Sequence, residues 1–558
     1  MRQIRIITCF VFLCTCTITY AQLSTNELPV SFDSKLKLRE ISKNATPVAT
    51  MPELDMPKIE MEDMENEGIG MPFRFGYKHK VSYDLNNSGI WYELSNGDRL
   101  WQLNVVCPKA LSVNFCYDKF WIPEGGKFFV YSKDRKQFIG AFTSKNNKGD
   151  RGHLHGFATE LIFGSDVVLE YYQPKEVSTD AIISLDYIIH GYRNVKAGAG
   201  ALPCMVNINC DEGQIWQNEK NAVARMIIEG LYYGTGSLIN TTNLNEVPFF
   251  LTASHCVTDV GKDALGNPNL DNTLFYWNYE APGCANISGE PGNSFVTHGA
   301  TVIANNSISD FALLRLSEDP KNHVGYTPYY LGWDRSGQSG DSCVCIHHPG
   351  GDVKKISASN GQPTENVIYW EVAWKSTPNG YGITEGGSSG APLINNMHRV
   401  IGQLQGVNVE NVVCNMPNLR SYYGKYNLSW TGYGNNNAQR RLNCWLDSLN
   451  TGVQTMEGLL VVRTTKTMNI DQEIYSNIRI ANNGQLTIQS DIELMGNSRV
   501  IVESGGKLII DGGTLSNVDL VLKAGSTLRI INGGVIDTSN GFEAPLGVTV
   551  DVVYGQIM

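Results

Sequence analysis

Three short segments hold side chains whose types and order could break an amide bond. Leu251-Thr-Ala-Ser-His255-Cys256 runs an apolar stretch into a histidine. Ser309-Asp310-Phe311-Ala-Leu-Leu-Arg-Leu316 sets an aspartate at the start of an apolar strand, shielded from water. Glu385-Gly-Gly-Ser-Ser389-Gly-Ala-Pro-Leu393 is a glycine-rich turn that presents a serine. A serine hydroxyl is a poor nucleophile until an adjacent base takes its proton. Histidine suits that task because it titrates near neutrality and can hand the proton on to a leaving amine. A buried carboxylate fixes the imidazole tautomer and stabilises the imidazolium. The expected roles are His255 as general base, Asp310 as orienting acid and Ser389 as nucleophile. The glycines let the backbone N–H groups of Gly387 and Ser389 converge on the developing oxyanion, and losing one such donor typically costs ~100- to 1000-fold in rate. Each segment alone is ordinary; the three in the order His, Asp, Ser carry the reading.

Competing assignments are weaker. Gly386-Gly-Ser388-Ser-Gly390 also fits the G-x-S-x-G turn of α/β-hydrolases, with Ser388 as nucleophile. That fold needs its acid and then its histidine downstream, and only His398 follows. His347-His348 has no partner at a metal-ligand spacing, so a structural role is expected and no metal or cofactor is assigned. Cys256 beside His255 would point away from it along a strand, so it reads as a disulfide or a buried thiol.

The elements that must position these residues are mostly short strands. Residues 22–80 read as a polar, poorly ordered lead, rich in Met, Glu and Asp around 51–71. Residues 81–196 alternate with period two, as in Leu100–Val106, Lys127–Tyr131 and Val167–Tyr172, and predict a β-sandwich. Lys196–Leu202 reads as an exposed linker suited to cutting. Residues 197–460 carry the chemistry on strands such as Phe249–Thr252 and Val400–Leu404, an all-β double barrel closed by a helix over Ala438–Leu449. In 461–558, Gly484-Gln-Leu-Thr-Ile, Gly506-Lys-Leu-Ile-Ile and Gly525-Ser-Thr-Leu-Arg-Ile recur at roughly 20-residue intervals, the pattern of a stacked β-solenoid. A stalk or cap is the expected role of that tail, with the cell surface or export machinery as its candidate partner.

Arg2 and Arg5, the apolar run Ile6–Ile18 and Thr19-Tyr20-Ala21 read as a signal peptide over 1–21, which predicts a secreted or cell-surface protein that passes through the periplasm. No other stretch is long and apolar enough to span a bilayer. The net charge of -11 leaves no basic footprint for nucleic acid. Of 13 cysteines, Cys9, Cys14 and Cys16 would leave with the signal. The rest face an oxidising compartment, where disulfides, Cys107–Cys116 among them, are expected.

Over about 204–458 the chain resembles the bacterial lysyl endopeptidases, which are chymotrypsin-like serine proteases. The likeness rests on Thr-Gly-Ser-Leu at 235–238, Leu-Thr-Ala-Ser-His-Cys, Tyr276-Trp-Asn-Tyr279, Ser-Asp-Phe, Gly332-Trp-Asp-Arg335 and Ile346-His-His-Pro349. It continues through the Gly-Ser-Ser-Gly turn, Gly402-Gln-Leu404 and Ser429-Trp-Thr-Gly432. The resemblance implies the roles given above for His255, Asp310 and Ser389, and a propeptide over the β-rich region from about Trp91 to Tyr172. It also implies disulfides Cys204–Cys414 and Cys210–Cys284. Gly234 stands where the family has a cysteine partner for Cys256, which leaves Cys343, Cys345 or Cys444, or a free thiol. Lysine-specific members hold an Asp two residues before a Tyr-Gly pair; here that slot is Ser421, after Arg420. Their histidine after Gly-Gln-Leu is Gln405 here. A lysine ammonium buried over such a floor is unpaired and costly, so strict lysine preference is not expected, with Glu385 and Glu410 as substitute counter-charges. The rival function is a catalytically silent surface-binding or adhesion protein built on the same scaffold. An active endopeptidase made as a zymogen, cut within 193–203 with Lys196 as a candidate site and taking peptide and protein substrates, is the expectation.

Overall fold

The computed structural model describes residues 27–36, 38–40, 47–67, 72–258, 269–409 and 412–558. The chain is mainly β. Its period-two segments between 76 and 191, joined by Leu38–Glu40 and Val48–Thr50 of the lead, fold into two facing sheets, of seven and five strands. Arg99–Val106 pairs with Asp166–Gln173, which pairs with Lys127–Ser132. Leu103, Val105, Phe128, Val167, Leu169 and Tyr171 of one sheet point into the space between the sheets, against Tyr117 and Phe120 of Ser112–Trp121 in the other. A fully buried side chain of that size contributes about 1.5–3 kcal/mol, so this core holds the sandwich without help from its cysteines. Cys107 and Cys116 do not pair: both are free and buried. Cys107 faces the sandwich core, whereas Cys116 faces the cluster shared with Ile227 and Tyr233. The expected Cys107–Cys116 disulfide is thereby overturned, because the two thiols sit on opposite sides of one sheet.

The lead is more structured than its composition suggests. Its described part includes the strand Val48–Thr50, parallel to Arg99–Val106, and the helix Met56–Glu67. Asp63 on that helix is buried by ion pairs with Arg74 and Arg193. The polar composition is used in long-range pairing, a use no local pattern reveals.

Two large sheets follow. In the first, of eight strands, Val223–Ile228, Tyr232–Leu238, Phe249–Ala253 and Phe311–Leu316 lie side by side. The second, of ten strands, carries Cys343–His347, Pro392–Asn395, Arg399–Val407 and Ser421–Lys425. Each curls into one of two barrels, and Cys204–Cys414 and Cys210–Cys284 tie the entering chain to them. The helix expected over Ala438–Leu449 is two short pieces, Ala438–Arg440 and Asn443–Leu446. The linker differs too. The N–H groups of Gly198 and Ala201 donate to Asp352, that of Ala197 to Glu290 and that of Leu202 to Glu385, so only Lys196 and Ala199 of 196–201 are exposed.

From Gly458 to Ile557 three parallel sheets form a β-solenoid. Leu460, Ile478, Val500 and Leu520 stack rung on rung in its interior. Gly484 turns one corner, where a Cβ would lie 2.2 Å from the Val462 carbonyl oxygen. The first rung is strand-paired with the barrel region, Tyr329 opposite Leu460 and Tyr330 opposite Leu459. One apolar cluster runs from Phe250 and Trp333 into Ile480 and Leu508 without a break. The tail is docked on the barrels along its first rungs. Among the described residues, no helix is long and apolar enough to cross a membrane.

Candidate active site

Phe249–Ala253 carries the chain to His255, which opens a one-turn helix, His255–Thr258. Its partner strand begins at Phe311, opposite Ala253. Pairing therefore sets Asp310 next to His255 although 55 residues separate them in sequence. Asp310 has a left-handed backbone (φ 55°) that turns its carboxylate back on the histidine. The His255 N–H donates to Asp310 Oδ1 at 2.9 Å, and the ring Nδ1 lies 2.7 Å from Oδ2. One carboxylate thus grips backbone and ring together and sets the tautomer, with Nδ1 as donor and Nε2 as acceptor. Nε2 is buried and has no protein hydrogen-bond partner. Burial pushes the imidazole down, but neighbouring Cys256 and the Asp310 carboxylate with its hydrogen bond outweigh it and hold the group well above the ordinary histidine value.

The second barrel braces this pair. Gln403 Nε2 donates to the Ser309 carbonyl at 2.6 Å, and Ser429 Oγ donates to Ser309 Oγ at 3.0 Å. Gly424 must be glycine, because a Cβ there would sit 1.8 Å from the same Ser309 carbonyl. The Gly-Gln-Leu, Tyr-Gly and Ser-Trp-Thr-Gly motifs thus meet at the residue before Asp310.

Ser389 comes from the second barrel, in the turn between Glu385 and Pro392. The Ser388 N–H donates back to the Glu385 carbonyl, and Gly387 and Gly390 take positive φ (89° and 85°). The turn is held across the cleft by the first barrel. Thr235 N donates to the Ser389 carbonyl at 2.8 Å, Thr235 Oγ1 to the Gly387 carbonyl at 2.9 Å, and the Cys256 thiol to the Ser389 carbonyl at 3.9 Å. Through Cys256, the loop of His255 touches the loop of Ser389. Among the described residues no acceptor takes the N–H of Gly387 or of Ser389. Thr235 and Gln403 hold the serine turn and Ser309 by hydrogen bonds that sequence reasoning missed, although both lie inside motifs it singled out.

Ser388 is fully buried with its Oγ 2.8 Å from His347 Nδ1, and His347 Nε2 meets Ser357 Oγ at 3.0 Å. Burial pushes His347 down to about 3, so it stays neutral. His348 Nδ1 bonds to the Asp352 carbonyl. Both histidines are structural in their contacts, and among the described residues no His/Cys/Asp/Glu cluster could hold a metal. Cys256, Cys343, Cys345 and Cys444 are free; Cys256 takes the thiol alternative, packed beneath Gly234.

At the expected specificity pocket, Ser421 is fully buried. Its Oγ accepts the Trp374 indole N–H at 2.7 Å and lies 2.7 Å from Thr384 Oγ1. Gln405 is half-buried on Arg399–Val407. Arg420 turns to the carbonyls of Pro417 and Leu419. Glu410 lies outside the described residues. Glu385 faces the linker, accepting the Leu202 N–H at 3.3 Å. Burial, aided by Asp352 and opposed by the Leu202 bond and Lys355, pushes it up to about 7. The folded protein thus keeps this proton longer than the unfolded chain, so stability falls as pH rises from about 4.5 to 7. Glu385→Gln is expected to match the parent at pH 4 and to exceed it at pH 8 by on the order of 1–3 kcal/mol in urea unfolding. A cavity of about 680 Å³ lies away from these residues, between Glu160–Phe163 of the sandwich and Arg225, Tyr276 and Glu290.

The two barrels with a histidine–aspartate pair facing a glycine-rich serine turn define the fold class as the chymotrypsin-like double β-barrel, here preceded by a sandwich and followed by a solenoid. Residues 199–424 match the family model of the lysyl endopeptidase C-terminal domain, and over that stretch the chain is lysyl endopeptidase-like. The lysyl endopeptidase of Pseudomonas aeruginosa is 30% identical over 219 residues, which are 37% of this chain and 44% of that protein. The chain thus matches less than half the length of that relative. Among solved structures, an inactive form of the Rv3671c protease of M. tuberculosis is 15% identical with a TM-score of 0.25, covering 38% of this chain and 86% of that one. The serine endoprotease from Yersinia pestis is 12% identical with a TM-score of 0.27, covering 40% and 64%.

Proposed function

We propose that this protein is a serine endopeptidase that hydrolyses peptide bonds through an acyl-enzyme, with His255, Asp310 and Ser389 as its triad. The observation that carries the reading is the double grip of Asp310 on His255, at 2.9 and 2.7 Å, which leaves Nε2 as a free, buried acceptor. His255 takes the Ser389 hydroxyl proton as the oxygen attacks the substrate carbonyl. The N–H groups of Gly387 and Ser389 receive the oxyanion, and His255 then protonates the leaving amine. A water repeats the sequence on the acyl-enzyme. The signal-like start and two disulfides support export and work outside the cytoplasm. The sandwich fused ahead of the barrels supports synthesis as a zymogen, and Lys196 is the exposed site for the activating cut.

Labelling of the chain cut at Lys196 with a fluorophosphonate tests the reading: one adduct on Ser389 is expected, and an unlabelled cut chain would sink it. Substrate choice follows from Ser421. Its hydroxyl is already bonded to Trp374 and Thr384, and Glu385 is committed to Leu202, so among the described residues neither of these groups awaits a lysine ammonium. Cleavage of a random peptide library is expected to show no dominance of lysine before the cut; cutting almost wholly after lysine refutes this pocket assignment.

A further inference from the structure

The cavity of about 680 Å³ lies between the sandwich and the first barrel, away from the serine turn. Three polar atoms of its lining residues are buried and have no hydrogen-bond partner among the described residues. They are Glu160 Oε2 from the sandwich, and His298 Nε2 and Arg225 Nε from the barrel. Arg225 and His298 are 1% and 2% exposed. A buried polar atom left unpaired is costly, and three around one cavity point to a ligand that pairs with them. The contacts on their far sides fix what each atom offers. His298 Nδ1 lies 2.9 Å from Glu318 Oε2, and the His298 backbone N–H donates to the same oxygen at 2.7 Å. That carboxylate holds the ring proton on Nδ1, so Nε2 presents a lone pair. The Arg225 guanidinium donates to the Gly351 carbonyl at 2.8 Å and packs on the rings of Tyr279 and Tyr276, 3.6 and 4.0 Å from their centroids. Its Nε–H is therefore a fixed donor. Burial pushes the Glu160 carboxyl up from its ordinary value, opposed by the charge of its neighbour His298.

We infer that this cavity is a binding site for the free amino end of a short peptide. The ammonium pairs with Glu160 Oε2 and His298 Nε2, two acceptors side by side, and the first carbonyl oxygen accepts from Arg225 Nε. A ligand with a cation at one end and a neutral oxygen beyond it answers all three atoms at once. A simple anion would meet the carboxylates of Glu160 and Glu290, and a metal ion would meet the Arg225 guanidinium. Phe163, Phe295 and Tyr326 also line the cavity, so an aromatic or large apolar first residue suits it. Cavities of roughly 300–1,000 Å³ hold ligands of this size, with a few placed polar groups fixing their orientation. One wall belongs to the sandwich, so the site exists only in the chain that keeps sandwich and barrel together. Because the cavity is apart from Ser389, its occupancy does not depend on catalysis.

The test is calorimetric titration of the full, uncut chain carrying Ser389→Ala, so that neither chain nor ligand is cleaved. The dipeptide amide Phe-Gly-NH2 is expected to bind with a Kd of about 1 mM or tighter. Its N-acetylated form, which has no ammonium, should bind at least about tenfold more weakly. Phenethylamine, which keeps the amine and ring but lacks the carbonyl, should also bind more weakly. Two variants on opposite walls follow. Glu160→Gln should weaken Phe-Gly-NH2 at least about tenfold and leave the acetylated form within about twofold. Gly292→Leu should abolish binding by filling the cavity from a position where a Cβ has no neighbour within 4 Å. No binding of Phe-Gly-NH2, equal binding of its acetylated form or of phenethylamine, or undiminished binding to either variant overturns the site. A variant that no longer unfolds in urea like the parent has misfolded, and the other then decides.

Discussion

Ser389→Ala is expected to reduce peptide cleavage by about 10⁶-fold, the scale seen when the nucleophile of such a site is removed. The residual rate comes from the oxyanion donors, which the substitution leaves in place. Its neighbour supplies the contrast. Ser388 is fully buried against His347, with no route to a substrate. Ser388→Ala orphans His347 Nδ1 in the core and so costs stability, about 1–3 kcal/mol, with a change in kcat of less than tenfold. Steady-state kinetics and urea unfolding on both variants separate chemistry from packing. If Ser388→Ala abolished turnover in a protein that still melted like the parent, the nucleophile would have been misassigned.

Asp310→Asn is expected to lower kcat by about 10⁴-fold. The carboxylate accepts from both the His255 backbone and Nδ1. An amide can keep the backbone bond with its oxygen, but its NH2 then faces Nδ1. The imidazole answers by moving its proton to Nε2, the atom that must accept from Ser389. Structure is preserved and the base is lost. The pH profile reports the same change: His255 is held above its ordinary value partly by Asp310, so the parent's activity should rise with pH to a midpoint above that of a free imidazole. Residual activity of Asp310→Asn should have its midpoint shifted downward. A profile that does not move, together with a kcat within tenfold of the parent, would remove Asp310 from the site.

Much of the architecture is legible in the chain because it rests on short-range rules. Alternation at Leu100–Val106 and Val167–Tyr172 marks strands, since every second side chain must face the same layer. The glycine-led repeats at 484, 506 and 525 mark solenoid corners, since only glycine fits over the previous rung, as at Gly484 above Val462. What composition hid was the lead. Its Asp63, Arg74 and Phe73 look like the residues of a solvated tail until Arg193, Tyr192 and Gly386 come to meet them. The cysteines divide in the same way. The pairs 204–414 and 210–284 follow from family spacing, while Cys107 and Cys116, near in sequence, are parted by a sheet.

By itself the sequence determined the chemical types on offer and their order: a histidine ending an apolar strand, an aspartate beginning one, and a serine among glycines. Chemistry demands those types locally, so local motifs carry them. Tertiary structure alone decided what they meet. Strand pairing brings Asp310 to His255, Thr235 and Cys256 pin the serine turn from the opposite barrel, and Phe73 crosses to Gly386. These contacts join residues far apart in sequence whose side chains carry no periodic signal. Their distances follow from how the barrels and the lead pack, a property of the whole chain.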